Sequence, residues 1–100
     1  MANNTLANKQ MRAIGHSLKP VVTVAQKGFT ESIRNEISRA LDDHELIKVK
    51  IKSGSKDSRR AITEDICNQC CAELIQAIGH IILIHRPAEN PDPRLSNLLR

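Results

Sequence analysis

Residues 18–31 read Leu-Lys-Pro-Val-Val-Thr-Val-Ala-Gln-Lys-Gly-Phe-Thr-Glu and hold the residue types best placed to do chemistry. A β-branched run, Val21 to Val24, enters a tight turn with Lys27 at its tip and Gly28 behind it. Thr30 is a helix N-cap candidate, and Glu31 suits the positive end of the helix that follows. A short loop at a helix N-terminus turns backbone N–H groups and the helix dipole toward an anion. The plainer reading is an ordinary strand-to-helix turn that needs Gly28 for its backbone angles.

Composition narrows the anion. The chain has 100 residues, a formal net charge of +4 and 40% apolar residues, enough for one domain with a modest core. This balance favours nucleic acid or another polyanion, the alternative being a solvated basic surface without a partner. In a small basic protein the expected anion is an RNA phosphate. Phe29 is the only phenylalanine, and tyrosine and tryptophan are absent. That argues against sheet surfaces on which several aromatics stack on bases. Contacts through phosphates, backbone and shape are expected instead.

A second group of candidates lies on Leu46 to Lys52, where Ile47, Val49 and Ile51 alternate with Lys48, Lys50 and Lys52. Period two places the lysines on one face of a strand. Such a stripe repels itself unless it is solvated or meets an anion; it also discourages edge-to-edge aggregation. Lys56, Arg59 and Arg60 follow closely and add to the cluster.

Other chemistries find little support. Cys67, Cys70 and Cys71 crowd into five residues without a second CxxC or a spaced histidine pair, so zinc is not expected. They fall on the apolar side of a helix and read as small buried hydrophobes. His16, His44, His80 and His85 are scattered, and no Walker loop, GxSxG or HExxH occurs. Neither a catalytic centre nor a cofactor is expected. No stretch approaches the ~20 apolar residues of a membrane span, and the polar start Met1-Ala2-Asn3-Asn4-Thr5 lacks an apolar signal-peptide core. A cytoplasmic location is the default, with a monomer the simplest state.

The elements that must position these residues follow from periodicity. Ala7, Met11, Ile14 and Leu18 give one stripe of a helix over residues 5–17, ended by Gly15 and Pro20. A strand covers 21–24, a helix 30–43, a strand 46–52 and a helix from 57 or 58 to 72. A strand at 73–78, a Gly79-His80 turn and a strand at 81–86 close the domain. Pro87, Pro91 and Pro93 then break the pattern, and residues 88–100 read as a mobile tail. The order α-β-α-β-α-β-β predicts an α/β (α+β) two-layer domain over residues 5–87 with a four-stranded mixed sheet. Strand–helix–strand units imply parallel pairing, and the closing hairpin adds an antiparallel pair.

Three segments then combine: Leu18-Lys19-Pro20-Val21-Val22, the turn ending Lys27-Gly28-Phe29-Thr30-Glu31, and His44-Glu45-Leu46-Ile47-Lys48-Val49-Lys50-Ile51. In this order and at these separations they resemble the CRM domain (chloroplast RNA splicing and ribosome maturation), and within it the YhbY family, over residues 6–87. The resemblance implies a fold similar to the C-terminal domain of translation initiation factor three. It also implies RNA binding and association with rRNA in precursors of the large ribosomal subunit. The family's loop is G-x-x-G followed by Leu or a similar residue and then Thr. Here Ala25 stands at the first glycine position, while Gly28, Phe29 and Thr30 match.

The expected RNA-binding residues are Ala25, Gln26, Lys27, Gly28, Phe29 and Thr30 in the loop, with Arg12, Lys19, Lys48 and Lys50 extending the footprint. The competing reading is a protein-interaction module that docks a ribosomal or translation protein and meets RNA only incidentally.

Overall fold

The computed structural model describes residues 4–25 and 27–98. Seven elements follow in the expected order: α1 (Asn4–Gly15), β1 (Pro20–Val24), α2 (Glu31–His44), β2 (Leu46–Ile51), α3 (Lys56–Cys70), β3 (Glu73–Ile78) and β4 (Ile81–His85). Each boundary has a local cause. The Thr30 hydroxyl accepts the N–H of Ile33 at 3.2 Å and opens α2. The Ser55 hydroxyl accepts the N–H of Ser58 at 3.0 Å, so α3 starts at Lys56, a residue or two earlier than its apolar pattern indicates. Its end is set by Cys71, in the left-handed region at φ 54°, before the expected Ala72.

The sheet order is β1-β2-β4-β3. β1 runs parallel to β2, with Val24 opposite Ile51, and β4 is antiparallel to both β2 and β3. β2 and β3 therefore point the same way, as a strand–helix–strand unit requires, but β4 is inserted between them. The lysine-bearing β2 becomes an inner strand.

The expectation of two layers needs correction, because helices cover both faces. On one face Ile47, Val49 and Ile51 join Val22, Val24, Ile82 and Ile84 beneath Ile37 and Leu41 of α2 and Ile66 and Cys70 of α3. On the other, Leu46, Ile75 and Leu83 pack against Met11 and Ile14 of α1 and against Leu18. Leu46 and Ile47 are adjacent and both fully buried, on opposite faces. Truncating a core residue such as Leu41 to alanine costs about 2–5 kcal/mol. The side chain of Ala7, placed on the first helix's stripe by its spacing, lies outside the described residues.

The C-terminal segment also departs from expectation: residues 88–98 are anchored on the domain. The Glu45 carboxylate accepts the Ser96 hydroxyl at 2.7 Å and the Ala88 N–H at 2.8 Å. Asn97 donates its side-chain amide to Leu46 O at 2.6 Å and its backbone N–H to His44 O at 2.9 Å. Leu98 packs beside Leu46 and Leu83. Individual polar anchors, rather than a periodic apolar pattern, hold the segment.

Candidate nucleic-acid interface

Parallel pairing carries the carboxyl ends of β1 and β2 to the same end of the sheet, and β4 begins there. Lys52 N–H donates to Val24 O at 2.8 Å, and Ile51 N–H donates to His80 O at 2.7 Å. The loop after β1, the loop after β2 and the β3–β4 turn are thereby drawn together. They border an open crevice of about 820 Å³ lined by Ala25, Lys27, Lys50, Lys52, Gly54 and His80, among others. In open sheets with parallel strands, this is where ligands commonly sit.

The loop after β1 is built by its backbone. Gly28 N–H donates to Ala25 O at 2.9 Å, closing a turn with the exposed Lys27 inside it. Gly28 has φ +80°, a conformation that glycine adopts without penalty, and nothing lies within 4 Å of the position a Cβ would take. The requirement for glycine is thus conformational, and the space above it is open. Positive φ among the described residues occurs at Gly28, Gly79, Glu45 and Cys71 but not at Ala25. Alanine therefore sits at the family's first glycine position without left-handed strain. Phe29 packs against the main core and Thr30 caps α2, so both shape the loop from beneath.

Charge at the crevice is unbalanced. The ion pairs among the described residues join Arg34 to Glu31, Arg86 to Asp42 and Arg94 to Asp92. None involves a lysine, so Lys27, Lys50 and Lys52 border one concavity without a carboxylate partner among the described residues. Glu31, the acidic residue nearest the loop in sequence, is held by Arg34 at 3.7 Å. An anion in the crevice relieves the mutual repulsion of the lysines.

The remaining expected residues are not all brought together. The lysine stripe lies on the face shared with α1, and it divides. Lys50 and Lys52 reach the crevice, while the half-buried Lys48 lines a separate hollow of about 170 Å³ with His16, Gln76 and Ile78. Lys19 precedes β1, on the order of 15 Å along the strand from the loop. Arg12 is exposed on α1 and lines neither cavity. Gln26 lies outside the described residues.

Other contributors were less visible in the sequence. His80 enters through the hairpin turn, and Arg59 donates to Ser53 O at 3.2 Å with the same Nη1 3.3 Å from His80 Nε2. Arg59 thus ties the loop after β2 to the turn before β4. Among the described residues, no group of three or more His, Cys, Asp or Glu side chains could hold a metal ion. Burial pushes the thiols of Cys67 and Cys70 up; the neighbouring Cys70 adds to the rise at Cys67, while Arg86 and Arg34 oppose it at Cys70.

Comparison with known proteins agrees with this architecture. The model of the CRS1/YhbY (CRM) domain matches residues 5–86, and the chain belongs to this family. It is 45% identical over 100 residues to a probable RNA-binding protein of Pseudomonas aeruginosa, covering 100% of this chain and 96% of that one. It is 39% identical over 88 residues to an RNA-binding protein of Haemophilus influenzae, covering 85% and 89%. A solution structure from Staphylococcus aureus, presented as that of a candidate RNA-binding protein, superposes with a TM-score of 0.74. The identity is 26%, and the match covers 83% of this chain and 86% of that one.

Proposed function

We propose that this chain is a cytoplasmic, monomeric RNA-binding protein that engages rRNA in precursors of the large ribosomal subunit and assists their assembly. One observation carries the reading: Lys27, Lys50 and Lys52 converge on a single open crevice with no carboxylate partner among the described residues. The names borne by the similar proteins of P. aeruginosa and H. influenzae support RNA as the polyanion. The protein acts by binding rather than by turnover. A backbone phosphate approaches the turn at Gly28, where no side chain intervenes, and Lys27 closes on it. Lys50 and Lys52 take neighbouring phosphates, and Lys48, Lys19 and Arg12 extend the footprint across structured RNA. Without aromatic platforms, preference for RNA comes from shape and from 2′-hydroxyl contacts.

The test is sedimentation of a gentle lysate through a sucrose gradient at low and raised salt, with a nuclease-treated control. The expected result is a peak at or just below the free large subunit that moves to the top as salt rises, as phosphate contacts require. A peak at the top of the gradient at every salt overturns the ribosomal assignment. A large-subunit peak that persists after nuclease treatment favours a protein partner instead.

A further inference from the structure

A second concavity adjoins the crevice on the opposite face of the sheet. α3 buries Ile66 and Cys70 over the sheet, whereas edge strand β3 contributes no buried side chain to that face. The uncovered strip leaves a groove of about 670 Å³ between α3 and the β3–β4 hairpin, within the range of small-ligand sites. Leu74 and Ala77 of β3 and the buried Ile82 of β4 supply its apolar lining. Lys56, Arg59 and Arg60 border it from the first turns of α3. None of these three cations is paired with a carboxylate among the described residues.

We propose that this groove receives an unpaired nucleotide of the RNA whose backbone lies in the crevice, an inference that rests on the RNA-binding reading above. Two observations select this occupant. His80 borders both concavities, so a strand leaving the crevice passes directly into the groove. The charge along α3 is also ordered: Lys56, Arg59 and Arg60 lie toward its N-terminus, and Glu64 follows a turn later on the same groove. A phosphate belongs at the cationic end beside His80. The base then lies farther along, against Leu74 and Ala77. A base within a duplex offers only its edges, so contact of a base face with these side chains requires an unstacked nucleotide. The groove thus supplies by aliphatic packing what the missing aromatic residues would supply by stacking.

The test compares an RNA hairpin carrying an unpaired loop with a blunt duplex of equal nucleotide count, at one salt concentration. Wild-type protein is expected to bind the hairpin about tenfold more tightly, the scale of one favourably packed base. Ala77→Gln fills the groove without changing the charge, and is expected to lower hairpin affinity to the duplex value while leaving duplex affinity unchanged. Thermal melting checks that the variant is folded. Methyl resonances of Leu74 and Ile82 in the wild-type protein give a readout independent of any substitution, and are expected to shift with the hairpin and not with the duplex. Equal affinity of wild-type protein for the two RNAs, unchanged hairpin binding by folded Ala77→Gln, or silent Leu74 and Ile82 methyls overturns the proposal. Lys27→Glu separates the two readings: it weakens both RNAs if the crevice binds phosphate, whatever the groove does. If it weakens neither, the crevice reading itself fails.

Discussion

Ser96, fully buried near the end of the chain, donates its hydroxyl to the carboxylate of Glu45 at 2.7 Å. Glu45 itself stands at the corner between α2 and β2 with φ 64°, uncommon for a side-chain-bearing residue. Its N–H closes α2 on Leu41 O at 2.9 Å, and its carboxylate also takes the N–H of Ala88. One strained residue therefore ends a helix, starts the central strand and anchors the C-terminal segment.

Ser96→Ala removes the only side-chain hydroxyl on Glu45 among the described residues and leaves a buried carboxylate oxygen without that donor. The expected loss is about 1–3 kcal/mol in urea denaturation. The region around residues 88–98 should also become accessible to protease at concentrations that leave the wild type intact. Unchanged stability and unchanged cleavage would show that the segment is held mainly by Asn97 and Leu98.

Gly15 closes α1 directly over Leu83. A Cβ there would lie 2.6 Å from one Leu83 methyl and 2.9 Å from the other. Leu83 is buried in one cluster with Leu46 and Ile75, so its methyls must shift to admit the added carbon. Gly15→Ala, favourable by about 1 kcal/mol in a free helix, should therefore destabilise this protein by about 1–3 kcal/mol. Leu83→Val in the same chain should recover part of the loss. A rise in melting temperature for Gly15→Ala alone would contradict the packing.

The three cysteines should differ in reactivity. Cys71 is exposed, Cys70 is buried and Cys67 is intermediate. Burial raises the thiols of Cys67 and Cys70 above the ordinary 9.0. A thiol reagent near neutral pH should label Cys71 first, the half-buried Cys67 more slowly, and Cys70 only on unfolding, as mass spectrometry of timed samples would report. The folded state holds these two thiol protons more tightly than the unfolded chain does. Their contribution to stability is fully present below pH 9.0 and is lost as pH rises through the folded values.

Some of this was legible in the sequence because its physics is periodic. The alternation of Ile47, Val49 and Ile51 with lysines identifies β2, and Thr30 marks the start of α2 because a hydroxyl there can satisfy a first-turn amide. The third layer was harder to see, since Leu46 and Ile47 bury opposite faces of one strand and no period assigns α1 to either. The anchoring of residues 88–98 rests on Ser96 and Asn97 meeting Glu45, His44 and Leu46 across some fifty positions, a match without local pattern. Pro87, Pro91 and Pro93 correctly indicated irregular structure, but irregular backbone can still be pinned. At the crevice, Lys27 and Lys50 were evident from loop and stripe. His80 required the strand order, because only the insertion of β4 beside β2 brings the hairpin turn to the ends of β1 and β2.

The proposed phosphate site lies where the turn at Gly28 meets Lys27, Lys50 and Lys52. The most direct measurement is the affinity for a structured rRNA fragment as a function of salt, for wild-type protein and for folded Lys27→Glu with Gly28→Asp. The double variant should lose at least tenfold in affinity. The slope of log affinity against log salt should also become shallower by about one for each phosphate the variant no longer neutralises. A folded variant with the affinity and salt slope of the wild type would move the RNA site elsewhere on the molecule.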